Sequence, residues 1–362
     1  MSWRGGEQQI AYLIEELENL GVENIVACKK DSAFEAFCVE KGITHLGLAF
    51  RSQYDIFSAL YLKQACKYFE VDLMHLHSSF SHGLGILSSV LGNPTPIVLS
   101  RRVDFPVKKN LITQYKYNHP AIKRIICVSK TIENIVRQSI KRPDRCLTVY
   151  SGIDITRFTS HVKHQLLRQE YSIPSNAILI GNVSAIAPHK DYYTFVDTAH
   201  QLISVGLDAY FFIIGDGPLR ADIENYVAEK GLTGRILLTG FRNDIPKILP
   251  ELDYFLITSE TEGLGTTVLD AFACKVPVVA TKGGGITETV IDKETGLLAE
   301  VGDAKGLAGS IQLLINDQKL KELLIDNAFQ KVQGFSKKNT AKETMSVYTT
   351  INKGRQRFIK TD

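Results

Sequence analysis

Short, strongly apolar runs punctuate this chain, and a helix-length segment separates each from the next. In the first half they read ENIVACK, DLMHLHS, PIVLSR, RIICVS and CLTVYSGI; in the second, AILIGNVSAI, AYFFIIGDG, RILLTGF, YFLITS, PVVAT and GLLAE. Runs this short and this apolar are strands covered on both faces, and helices between them make the sheets parallel. The polar stretch TSHVKHQLLRQEYSIPSN, residues 159–176, breaks the rhythm and ends in a Pro/Ser/Asn turn, which marks it as an interdomain linker. The pattern predicts two doubly wound α/β domains in tandem. Ligands of such sheets bind at the carboxyl ends of the strands, and with two domains the expected site is the cleft between them.

A length of 362 residues exceeds one ordinary core and suffices for two. No apolar run approaches the roughly 18 residues of a spanning helix, and the N-terminus lacks the cationic start and apolar stretch of a signal peptide. A cytoplasmic location is therefore expected. Cys28, Cys38, Cys66, Cys127, Cys146 and Cys274 follow no CxxC spacing and read as buried thiols rather than disulfides or a zinc site. Charge is unevenly spread: residues 101–145 carry 12 Lys and Arg against 3 Asp and Glu, whereas residues 1–100 carry 7 against 11. Nucleic acid is not the expected partner of this basic block, because no RNP, zinc-finger or helix-turn-helix signature accompanies it. An anionic membrane surface or a phosphorylated substrate suits it, with a solvated basic face as the plainer alternative.

The stretch that carries most chemistry is SETEGLGTTVLDAFACKVPVVATKGGGITETV. After the strand YFLITS come Glu262, Gly263, Leu264, Gly265, Thr266 and Thr267, then a helix. Glycines there let the backbone approach a ligand, and unpaired N–H groups at the helix start form an anion site that fits a diphosphate. Glu262 in the loop and Asp270 on the helix can flank the same ligand as acceptors for sugar hydroxyls. The plainer readings are a capping acid and a surface helix acid.

A strand, E-G-x-G, a helix and an acid eight residues after the first Glu resemble the retaining two-domain glycosyltransferases of the GT-B type, specifically glycosyltransferase family 4. VVATKGGGITETVIDKETGLLAEVGD, FFIIGDGPLR, VYSGIDITRF and IICVSKTIENIV are similar to further family segments in the same order. The resemblance implies an α/β fold of two Rossmann-like domains facing each other across a cleft: residues 1–160 on the acceptor side, 161–335 binding the nucleotide-sugar, and a C-terminal helix within 336–362 packing back on the first domain. It implies that Glu262 holds donor-sugar hydroxyls, that Asp270 takes the ribose, and that the backbone at Leu264, Gly265 and Thr266 meets sugar and diphosphate. Lys190, in AIAPHKDYY, matches the lysine that neutralises the leaving diphosphate. Gly215 and Arg242 fall on the donor side, and the loop at Gly5 and Gly6 is expected to close over the phosphates. No metal and no cofactor are implied.

The sequence departs from the family's pattern in three places. The position five residues before Lys190, commonly arginine, is Ala185, and a position commonly histidine, after the strand PIVLSR, is Arg102, with Arg101 beside it. An arginine cannot serve as a general base; Arg102 could bind an anionic acceptor or replace the missing phosphate cation. His75 and His77 alternate along one strand and so share a face; a metal pair would lack a third ligand, which leaves packing or, for His77, an acceptor-side contact. Finally, the family places a central strand before the Gly-Gly loop, whereas only Met1, Ser2, Trp3 and Arg4 precede it here. A first domain short of that strand, in a chain that truly starts upstream or is truncated, is therefore expected.

The activity implied is retaining transfer of a sugar from a nucleotide-diphosphate-sugar to a hydroxyl of a saccharide or lipid-linked acceptor, in surface polysaccharide, lipopolysaccharide or glycolipid assembly. Residues 101–145 would contact an anionic membrane on its cytoplasmic face. The alternatives are a phosphorylase or epimerase on the same fold, or a catalytically impaired partner subunit.

Overall fold

Polar side chains set where helices begin: Ser32, Asp55, Ser78, Asn110, Ser129 and Asp303 each accept a hydrogen bond from the backbone N–H three residues on. The computed structural model describes residues 3, 5–159 and 164–351, and the chain divides into two units, Met1–Gly152 with Lys337–Asp362, and Ile153–Ser336.

The first unit runs α1 (Gly5–Glu18), β1 (Val26–Lys29), α2 (Ala33–Lys41), β2 (His45–Leu48), α3 (Ile56–Tyr68), β3 (Met74–Leu76), α4 (Ser79–Val90), β4 (Ile97–Arg101), α5 (Leu111–Asn118), β5 (Ile122–Cys127), α6 (Lys130–Arg137) and β6 (Cys146–Thr148). Its strands form two parallel sheets, β1-β2 and β3-β4-β5-β6. Among the described residues no ladder joins them, so β1 and β3 are both edge strands. Gly5 and Gly6, expected as a phosphate loop, are instead the first residues of α1.

The second unit continues with α7 (Leu166–Glu170), β7 (Ile178–Val183), α8 (Tyr192–Ser204), β8 (Ala209–Ile214), α9 (Arg220–Glu229), β9 (Ile236–Gly240), α10 (Ile245–Ile248), β10 (Tyr254–Ile257), α11 (Thr266–Ala273), β11 (Val278–Thr281), α12 (Ile286–Thr289), β12 (Leu297–Ala299), α13 (Ala304–Asn316) and α14 (Gln318–Val332). Its sheet is fully parallel in the order β12-β11-β10-β7-β8-β9. Strand order reverses between β7 and β10, and a crevice opens at the carboxyl ends of strands on either side of such a reversal. Phe195, Phe211, Ile213, Leu256 and Val279 fill a core under α8 and α13. Of the expected linker, residues 160–163 lie outside the described residues. The remainder carries α7, held by Glu251, which accepts from the Leu166 and Leu167 N–H groups at 2.7 and 2.9 Å.

The chain then returns to the first unit with α15 (Lys337–Ile351), which packs on α1. Leu13 and Leu17 of α1 meet Ala341, Val347 and Tyr348 of α15 in one apolar cluster. Residues 352–362 of the expected C-terminal helix lie outside the described residues.

Candidate functional site

In the second unit the loops that leave β7 and β10 are stitched together. The Thr258 hydroxyl donates to the carbonyls of Lys190 and Asp191 at 3.1 and 2.8 Å, and the Glu260 N–H donates to the His189 carbonyl at 2.9 Å. Below them, the Asn182 amide donates to the Leu256 carbonyl and the Tyr192 hydroxyl donates to Asn182. The strand ends are thereby tied in fixed register. On this platform Lys190, closing the 3-10 turn Pro188–Lys190, forms an ion pair with Glu262. Glu262 Oε1 also accepts from the Ser259 hydroxyl at 2.8 Å. The sequence assigns these two residues to one ligand; the structure joins them to each other.

Leu264 is buried and Gly265 caps α11 in a left-handed conformation at φ 76°. Among the described residues no side chain caps the helix, so the N–H groups of Thr266 and Thr267 stand at the positive end of the helix dipole, a geometry that suits an anion. Asp270, one turn further along α11, makes no side-chain hydrogen bond among the described residues. Desolvation raises its pKa to about 7, against which the charge of Arg157 acts in the opposite direction. A shielded carboxylate with open acceptor positions suits a pair of vicinal hydroxyls.

Gly215 follows β8 at φ 147°, and a Cβ there would lie 2.0 Å from the Ser184 carbonyl oxygen, so the chain must pass this point without a side chain. Ala185 is next to that contact and supplies no cation. Arg242, expected on the donor side, donates to both oxygens of Asp244 at 2.8 and 2.7 Å and to Glu170 at 2.8 and 2.7 Å. These two carboxylates hold its pKa above the usual arginine value.

The first unit gathers a second polar cluster at the carboxyl ends of β3 and β4. The His75 and His77 rings lie against each other with centroids 3.9 Å apart and planes tilted by 37°, on one face as alternation along the strand predicts. The His75 ring lies 2.5 Å from the Tyr348 hydroxyl and 2.7 Å from that of Ser100. Arg102 donates to His77 Nδ1 at 3.3 Å and to the Ser151 hydroxyl at 3.4 Å. Burial, then the Arg102 charge, pushes the His75 pKa down to about 3; His77 is held well below the usual imidazole value, by burial first and by His75 and Arg102 next. Both rings are neutral at physiological pH. Burial also pulls Arg102 down to about 10, and its Nε has no hydrogen-bond partner among the described residues. Among the described residues no carboxylate pairs with this guanidinium. A cavity of ≈ 20 Å³ beside it, lined by Gln9, Ser100, Ser151 and Thr340 among others, has room for about one water. Arg101 points away, donating to the Tyr117 hydroxyl at 3.0 Å and to the Phe105 carbonyl. Gly5 and Gly6 are exposed at the start of α1, with open space where a Cβ would stand.

Sequence reasoning missed Tyr348 and Ser151, which lie far along the chain from the groups they touch and carry no motif. It also missed Ser259, whose hydroxyl fixes Glu262.

The chain is similar to known proteins over most of its length. Residues 3–157 match the family described as Glycosyltransferase Family 4, and residues 163–331 match Glycosyl transferases group 1. The chain is 26% identical over 307 residues to the N-acetyl-alpha-D-glucosaminyl L-malate synthase of Bacillus anthracis, covering 82% of this chain and 78% of that one. It is 27% identical over 295 residues to the UDP-Gal:alpha-D-GlcNAc-diphosphoundecaprenol alpha-1,3-galactosyltransferase of Escherichia coli, covering 78% and 76%. Among solved structures, Anabaena HepE in complex with UDP-glucose superposes with a TM-score of 0.84 at 21% identity over 96% of this chain and 97% of that one.

Proposed function

The chain belongs to the glycosyltransferases that join a Glycosyltransferase Family 4 half to a glycosyl transferases group 1 half, and from that premise we propose that it performs retaining transfer from a nucleoside-diphosphate sugar. The observation that carries this reading is the paired Lys190 and Glu262 beside the uncapped start of α11, at the strand-order reversal of the second unit. A cation and a row of backbone N–H groups converge where a diphosphate would leave, and stabilising charge that develops there is the largest effect available to such chemistry.

In the proposed reaction an acceptor hydroxyl attacks the anomeric carbon on the face that the diphosphate leaves. The bond from that carbon to the phosphate oxygen breaks, the new glycosidic bond forms, and the acceptor proton passes to the departing phosphate. No enzymic nucleophile is needed. Lys190 turns from Glu262 toward the phosphates, Glu262 takes sugar hydroxyls, and Asp270 takes the ribose hydroxyls. The backbone at Leu264, Gly265 and Thr266 contacts sugar and diphosphate, and Gly215 keeps the neighbouring turn low. Arg242, bound to two carboxylates, shapes the loop after β9 rather than touching the donor. Arg102 and His77 form the acceptor side, with Arg101 bracing the loop beside them.

One relative is by name a synthase of N-acetyl-alpha-D-glucosaminyl L-malate and another a galactosyltransferase of alpha-D-GlcNAc-diphosphoundecaprenol, which supports an acceptor that is a small anion, a saccharide or a membrane-borne lipid. A membrane-borne acceptor, with the enzyme seated peripherally on the cytoplasmic face, accounts best for the basic block at residues 101–145. The test is calorimetric titration with a panel of nucleoside diphosphates and their sugars, followed by NMR of the product's anomeric configuration. Selective nucleotide binding weakened by Asp270→Ala, with an anomeric centre kept as in the donor, supports the reading; an inverted centre overturns retention, and no nucleotide binding overturns the site.

A further inference from the structure

We infer that α3 and α5 of the first unit form a docking surface for an anionic lipid bilayer. The inference rests on the proposed membrane-borne acceptor for its setting, but its observations are independent of the donor site.

Helix α3 is inside out. Its inward residues are the small Ser58, Ala59, Ala65 and Cys66, whereas Ile56, Phe57, Leu60, Tyr61 and Tyr68 point to solvent, Phe57 with 79% of its surface exposed. An ordinary surface helix buries its large apolar stripe and shows its polar one. On α5 the exposed residues are Leu111, Ile112 and Tyr115, Leu111 at 88%, while Tyr117 faces inward against the His82 ring of α4. Phe105 is exposed on the approach to α5. Lys116 of α5 donates to Gln53, in the turn that leads into α3, at 2.9 Å, so the two helices belong to one surface. Exposed apolar side chains of this size, clustered rather than scattered, mark an interaction site.

Charge decides the partner. Residues 56–69 and 105–118 contain no Asp or Glu, and Arg51, Lys67, Lys108 and Lys109 are exposed around the apolar side chains. Tyrosines with apolar rings and polar tips, among large aliphatics and ringed by lysines, match the boundary between acyl chains and anionic headgroups. A second copy of the chain fits badly, because a two-fold contact sets the same patch against itself and brings the lysines together. A bilayer of anionic lipid satisfies both the apolar stripe and the cations.

The test is vesicle flotation of the full chain with phosphatidylcholine alone and with phosphatidylcholine plus phosphatidylglycerol, at low and high salt, with nucleoside-diphosphate binding measured on the same samples. The wild type should partition onto the anionic vesicles and be released by salt. Leu111→Glu with Ile112→Glu, or Phe57→Glu alone, should lower partitioning tenfold or more, and Lys108→Glu with Lys109→Glu should lower it by about fivefold for each lysine lost. All should keep nucleotide affinity, since none belongs to the donor site. No partitioning, or partitioning indifferent to these substitutions, overturns the surface while nucleotide binding leaves the transferase reading standing. Loss of nucleotide binding with partitioning intact does the reverse. A lipid-independent dimer that the same substitutions abolish in sedimentation overturns the bilayer in favour of a second copy.

Discussion

The Lys190 ammonium and the Glu262 carboxylate, 72 residues apart in sequence, form an ion pair with 15% and 11% of their side chains exposed. Each neutralises the other, and in the proposed reaction donor binding divides the pair between phosphate and sugar. Truncating either partner leaves a poorly hydrated charge, so the two losses overlap. Lys190→Ala should lower kcat by about 10²-fold or more, and Glu262→Ala should lower kcat more than it weakens nucleotide binding. The double variant should cost less than the product of the two, a coupling read from a double-mutant cycle. Strictly multiplicative losses would mean that the pair does not act as a unit.

Asp270 supplies a pH signature. Its folded-state pKa of about 7 stands above the model-compound value of 3.8, with desolvation as the leading cause. The native state therefore keeps a proton that the unfolded chain releases, and stability drains away as pH rises from 4 toward 7. Asp270→Asn cannot ionise. Its Tm should match the wild type near pH 4 and exceed it at pH 8, in paired thermal melts. Nucleotide affinity should run the other way: a carboxylate accepts two hydroxyls and its protonated form does not, so wild-type affinity should rise through pH 7 relative to the Asn variant. Parallel affinity profiles would remove Asp270 from the ribose contact.

How far the sequence foretold this molecule depends on the range of the interaction. Local signals survived: the apolar runs became β1 and β3 to β12, and His75 and His77 share a face because alternation along a strand is a local rule. Strand β2 escaped notice because HLGL is four residues long, holds a glycine and lacks a sustained apolar run. Non-local pairings were invisible. Nothing near Arg242 announces that Glu170 will claim it, and nothing near His75 announces Tyr348. Helix α3 misleads periodicity, since its apolar stripe marks the exposed face and its buried face is written in small residues.

Gly215 offers a test of backbone geometry in the second unit. At φ 147°, with a hypothetical Cβ 2.0 Å from the Ser184 oxygen, alanine has neither the conformation nor the space. The obstacle is backbone, so it cannot yield by a rotamer change. Gly215→Ala should cost about 2 kcal/mol or more of stability in the second unit and weaken nucleotide binding as the turn after β8 lifts. Denaturant titration alongside calorimetry checks both; full nucleotide affinity in a destabilised variant would separate the turn from the donor site.

Arg102 presents the opposite situation, a charge kept where stability gains nothing from it. Among the described residues its guanidinium touches two neutral groups, His77 and Ser151, and leaves Nε without a partner, and its pKa is pulled down to about 10 by desolvation. A buried cation without a counter-ion lowers stability, and an apolar side chain of similar length removes that penalty. Arg102→Met should therefore keep or raise the Tm while lowering turnover tenfold or more. Nucleotide titration then says where the lost anion belongs: weakened donor binding assigns Arg102 to the phosphates, in place of the cation absent at Ala185, whereas intact donor binding with a raised acceptor KM assigns it to an anionic acceptor. Arg102→His, which restores a neutral imidazole beside His77, should fall short of the wild type in the same measurement. Turnover unchanged in both variants would take Arg102 out of the reaction and leave it as a packing residue.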